Sequence, residues 1–94
     1  MTYEAEVTLY DVPLSTTDSD LVAVLHRARW LSPLMGATVY VLARNPLRSE
    51  PRLLATVKPS GRCTYTPDVL GEELTDILSV FPDAVDVRKM EGVR

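Results

Sequence analysis

The chain has 94 residues, of which 46% are hydrophobic and 24% charged, and carries a formal net charge of −3. This is ordinary globular composition for one domain, and it excludes intrinsic disorder and a second core. The acidic balance opposes non-specific affinity for phosphate backbones and anionic membranes, the lone Cys63 excludes an intramolecular disulfide or a multi-cysteine zinc site, and no apolar run approaches the ~20 residues of a membrane span.

Tyr3, Ala5, Val7 and Leu9 alternate at period two and predict a first strand from Tyr3 to Tyr10, ended by Pro13, which cannot donate to a ladder. Met1 leads straight into that strand without a signal peptide, so a cytoplasmic location is expected. Ser15–Asp20 reads as a turn with Thr17 or Asp18 as the cap of a first helix. In that helix Leu21, Val24, Leu25 and Ala28 recur at helical spacing to about Leu31, where Pro33 and Gly36 stop it. A second strand is expected over Ala37–Arg44, a loop over Asn45–Pro51, and a third strand over Arg52–Lys58. The turn Pro59-Ser60-Gly61 leads into a short strand at Arg62–Thr66, which makes a hairpin.

Thr66-Pro67-Asp68 opens a second helix with a cap, a proline and an acid. Gly71 costs about 1 kcal/mol against alanine, which allows a later start at Glu72. The stripe Leu70, Leu74, Ile77, Leu78 and Phe81 marks its buried side, with Leu74 and Phe81 as core anchors, and Pro82-Asp83 ends it. A last strand is expected over Ala84–Lys89. The domain covers 1–90, and 91–94 form a frayed tail. This order, β-α-β-β-(β)-α-β, predicts an α+β two-layer ferredoxin-like sandwich, a mostly antiparallel sheet of four or five strands with both helices on one face. A competing arrangement makes an αβββα core with the first strand added at an edge.

Residues that carry chemistry are few. His26 has Val22 and Trp30 at i−4 and i+4, so no local carboxylate orients it, and it reads as a surface histidine. Cys63 lies beside Arg62 on a short strand without a helix N-terminus or a CxxC spacing, and reads as a structural thiol. Glu4 and Glu6 share the wet side of a strand. Four scattered glycines make no phosphate-cradling loop. No cofactor, metal or catalytic residue is expected. The arginine-rich, glutamine-free composition points to GC-rich coding of bacterial or phage type.

Val7–Pro13 followed by Thr17–Leu21 resembles the first strand and helix start of RNA-recognition motifs, over about a sixth of the chain. Such domains stack bases on strand aromatics. Here Thr8 stands at the first aromatic position and Arg52–Lys58 holds no aromatic, so the likeness is one of fold logic and no family is assigned.

Surfaces carry more signal. On a helical wheel Trp30 falls about 180° from Leu21 and His26 about 140°, which turns the only tryptophan away from the core. In the competing reading Trp30 folds back on Ser32–Met35. If Tyr3, Val7, Leu9, Val39, Val41, Leu53, Ala55 and Val57 face the helices, the bare side of the sheet shows Glu4, Glu6, Thr8, Tyr10, Thr38, Tyr40, Leu42, Arg44, Arg52, Leu54, Thr56 and Lys58. The resulting expectation is a small non-enzymatic protein-interaction module (a regulator, an inhibitor or an assembly subunit) that binds a protein partner or a copy of itself. Its candidate interaction residues are Trp30, His26, Tyr10, Tyr40, Leu42, Arg44, Arg52 and Leu54. Two alternatives stand beside it: a nucleic-acid binder using Arg44, Arg52, Lys58, Tyr40 and Tyr10, and a small-ligand binder or enzyme with a site assembled from loops.

Overall fold

A computed structural model describes residues 1–91. The chain runs β1 (Thr2–Leu9), β2 (Val12–Asp18), α1 (Leu21–Met35), β3 (Val39–Arg44), β4 (Arg52–Val57), β5 (Cys63–Tyr65), α2 (Gly71–Val80), β6 (Val85–Asp86) and α3 (Val87–Glu91). Among the described residues, six strands form one sheet in the order β2-β1-β3-β4-β5-β6, antiparallel throughout except for the parallel pair β5–β6. The fold is therefore α+β with a mixed, mostly antiparallel sheet. It carries one more strand and one more helix than the sequence pattern predicts.

The extra strand is β2. Tyr10 and Asp11 both have positive φ (52° and 64°) and form a two-residue turn that pairs Leu9 with Val12. Pro13 does not end the sheet. In a two-residue hairpin the pair flanking the turn exchanges both backbone bonds, so Val12, Leu14, Thr16 and Asp18 bond to β1 while Pro13, Ser15 and Thr17 face outward. Pro13 thus occupies an edge position where no donor is missed. The expected turn at Ser15–Asp20 is corrected accordingly, and the helix cap moves to Asp20, whose carboxylate accepts from the Val22 amide.

Helix α1 carries the chain over the sheet from β2 to β3, which lies on the other side of β1. Pro33 lies within its last turn rather than after it. Gly36, at φ 60°, closes the helix by donating to the carbonyls of Pro33 and Ser32. Helix α1 packs on β1, β2, β3 and α2, and one core cluster joins them: Leu21, Val24, Leu25 and Ala28 meet Val7, Val39, Val41, Val57, Ile77, Val80 and Phe81. Ile77 of α2 and Phe81 at its C-cap are buried as the stripe predicts, Val80 is buried although the stripe omits it, and Leu74 is half-buried. Leu70 is 55% exposed, Leu78 is exposed, and Glu73 is buried instead. The expected strand over Ala84–Lys89 shrinks to two residues, because the Asp86 carboxylate accepts from the Arg88 amide and starts α3. Of the expected tail 91–94, Glu91 belongs to α3 and 92–94 lie outside the described residues.

Candidate functional site

Which side chains face outward depends on one irregularity. Val41 pairs with Ala55 but Leu42 pairs with Leu53, so Leu54 is an extra residue in β4. A one-residue shift moves everything before it to the other face. Leu54 is driven inward at 0% exposed, Leu53 turns outward, and Arg52 turns to the helix side opposite Ala43. The expectations that Arg52 and Leu54 lie on the bare face and Leu53 under the helices are all reversed by this bulge.

Arg52 then meets Glu73 on α2 through two bonds of 2.8 and 2.9 Å, a bidentate pair. Glu73 also accepts from the Leu70 amide at 2.9 Å and from the Tyr3 hydroxyl at 3.3 Å, so it caps α2 while tying it to β1 and β4. Its side chain is 3% exposed. Burial pushes the carboxyl upward, but the Arg52 guanidinium, the Leu70 amide and the Tyr3 hydroxyl outweigh it and hold Glu73 below the usual carboxylate range. The same environment raises Tyr3, through its own burial first and the Glu73 charge second. Every oxygen of this cluster is partnered, which marks it as structural fastening rather than a poised acid.

The bare face therefore includes Glu4, Glu6, Tyr40, Leu42, Arg44, Leu53 and Thr56. Arg44 pairs with the buried Glu4, and that bond raises the guanidinium. Tyr40 and Leu53 are exposed and Leu42 is half-buried between them. Tyr10 belongs to none of this: it stands at the hairpin tip, 91% exposed.

On the helix side, Trp30 is 65% exposed and Leu34, one turn on, is 61% exposed. Trp30 does not fold back, and His26, one turn earlier, is exposed with it. Arg27 leans from α1 over the edge of the sheet, where it donates to Thr16 Oγ1 at 3.2 Å and the Thr17 carbonyl at 3.3 Å and pairs with Asp18 at 2.9 Å. Beside it Val12 and Leu14 of β2 are exposed. Leu14, Val12, Leu34 and Leu53 escaped the sequence reading. The alternation Val12, Leu14, Thr16 after Tyr10-Asp11 was the available signal for the first two, and nothing local announces the bulge that exposes Leu53.

Cys63 is buried on β5, and burial pushes its thiol up to about 12. An open groove between the β3–β4 loop, Met1 and the start of α2 is lined by Asn45, Leu47, Arg48, Glu50 and Leu70 and contains neither His26 nor Cys63. Among the described residues no helix is long and apolar enough to cross a membrane. No protein-family model, no curated protein and no solved structure matches the chain.

Proposed function

We propose that this protein is a small protein-interaction module, built on a split β-α-β theme related to the ferredoxin-like sandwich and without catalytic chemistry of its own. It binds a protein partner or another copy of itself. The observation that carries this reading is Trp30, the only tryptophan, exposed beside Leu34 on a helix whose opposite side is fully buried. Large aromatic side chains left in water with an apolar neighbour are the residues most enriched at binding hot spots. The bare face, with Tyr40, Leu42 and Leu53 ringed by Glu6 and Arg44, offers a second surface of the same kind.

The nucleic-acid reading loses its basic stripe, since Arg52 is turned inward and Arg44 is held by Glu4. A photo-crosslinking residue placed at position 30 in the native host, compared with one at the exposed Lys58, tests the proposal. A discrete protein adduct at position 30 alone supports it. Equal labelling at both positions, or none at either, refutes it.

A further inference from the structure

We infer that the partner of the β2 edge is the β2 edge of a second copy, paired antiparallel about a twofold axis through Ser15. This rests on the reading that the domain associates with protein, and goes beyond it by fixing the partner, the strand and the register.

The inference comes from accounting for backbone groups. β2 is the outermost strand, seven residues long, and its outward-facing residues Pro13, Ser15 and Thr17 are all exposed. Edge strands of this length are templates for another strand unless something blocks them. Here the block is partial and has a pattern. Pro13 offers a carbonyl and no donor, Ser15 offers both groups, and Thr17 offers a donor, its carbonyl already accepting from Arg27. Such an edge is complementary to itself in one register. With Ser15 opposite Ser15, the two serines exchange both backbone bonds. Each Thr17 amide then meets a Pro13 carbonyl of the other copy, and the donor that Pro13 lacks faces the Thr17 carbonyl that Arg27 already serves. Every free group on the strand is used, and no existing bond is displaced. A strand from an unrelated protein would have to match the same missing donor by chance.

The side chains agree with that geometry. On the helix side the pairing sets Leu14 against Thr16 of the other copy and brings Leu34, which shares a flank of α1 with Arg27, over the joint. This covers the exposed apolar groups nearest the edge. Arg27 pairs with Asp18, the one acid on β2 itself. Two six-stranded sheets would become one continuous sheet.

Sedimentation of the whole chain, combined with single cysteine substitutions, provides the test. Paired residues that exchange both bonds have Cα atoms roughly 5.5 Å apart, within disulfide reach, so Ser15→Cys should form an intermolecular disulfide rapidly on mild oxidation, with the buried Cys63 not competing. Thr17→Cys, placed opposite Pro13, should not. Ser15→Pro removes the two central donors without touching the β1–β2 ladder. It should weaken the dimer by about tenfold or more while preserving the far-UV spectrum. A wild-type chain that sediments as a monomer at high micromolar concentration overturns the inference. So does cross-linking at Thr16→Cys or Thr17→Cys as fast as at Ser15→Cys. If Ser15→Pro fails to fold, the cysteine pattern alone decides. None of these outcomes bears on capture of another protein through Trp30, so the two proposals fail separately.

Discussion

Arg52 and Glu73 hold each other through two parallel hydrogen bonds of 2.8 and 2.9 Å, and they meet only because Leu54 is an extra residue in β4. Without the bulge Arg52 would lie on the opposite face of the sheet from α2. A register irregularity in one strand thus creates the polar anchor for a helix 21 residues away in sequence. The energetic consequence is asymmetric. Arg52→Met leaves the Glu73 carboxylate buried without its cation and should destabilise the fold by about 3–5 kcal/mol. Arg52→Met with Glu73→Met removes both charges and should recover part of that loss, the remainder reflecting the lost Leu70 cap and Tyr3 bond. Urea denaturation of the single and double variants measures both, and a double variant less stable than Arg52→Met would contradict the account.

The same carboxylate sets a pH dependence. Glu73 is held below its ordinary value in the folded state, so the folded chain binds its proton less readily than the unfolded one. Its contribution is therefore fully present above the unfolded value, about 4.3. That contribution is lost as pH falls through the folded value. Stability of the wild type should decline below about pH 4.3, with a shallower decline in Glu73→Gln than in the wild type. Chemical denaturation at a series of pH values would show it, and parallel slopes for the two proteins would count against it.

How much of this was legible beforehand depends on what each residue responds to. The core stripe of α1 and the β4–β5 hairpin follow from period and turn chemistry alone and stand as expected, and of the two placements open for Trp30 the outward one is observed. Pro13 was misread because the rule that proline ends a strand depends on which way its nitrogen faces, and that is fixed by the turn at Tyr10-Asp11. Neither turn residue is the usual glycine or asparagine, so the turn carried little signal. Arg52, Leu53 and Leu54 were misassigned together, since strict alternation places all three wrongly once a bulge intervenes. Glu73 stayed outside the sequence reading because its partners lie on β1 and β4, and only the tertiary fold brings them together.

Cys63 gives a direct probe of the core. It is buried among the β5 contacts, and its thiol is pushed up to about 12, so at neutral pH it is neither accessible nor ionised. A thiol reagent such as Ellman's should label it only as the protein opens, at a rate that rises with denaturant in step with unfolding. Rapid stoichiometric labelling of the folded protein at pH 8 would show that β5 is not packed as described.

The hairpin tip offers the last test, and the one most closely linked to association. Tyr10 and Asp11 both sit at positive φ, 52° and 64°, a conformation that disfavours side chains with a Cβ and suits Asn-Gly. Tyr10 is 91% exposed, so its ring contributes no packing that would offset the cost. Replacing the pair, Tyr10→Asn with Asp11→Gly, should therefore stabilise the domain by about 0.5–2 kcal/mol by relieving the turn. Thermal unfolding at matched low concentration, where mass action from any dimer is small, isolates that effect. The turn also sets the register of β2 and hence the outward direction of Pro13, Ser15 and Thr17. The stabilised variant should thus keep the Ser15→Cys cross-linking pattern of the parent. A variant that is less stable than the wild type would mean that Tyr10 makes a contact the exposed tip does not show, and the strain argument would fall with it.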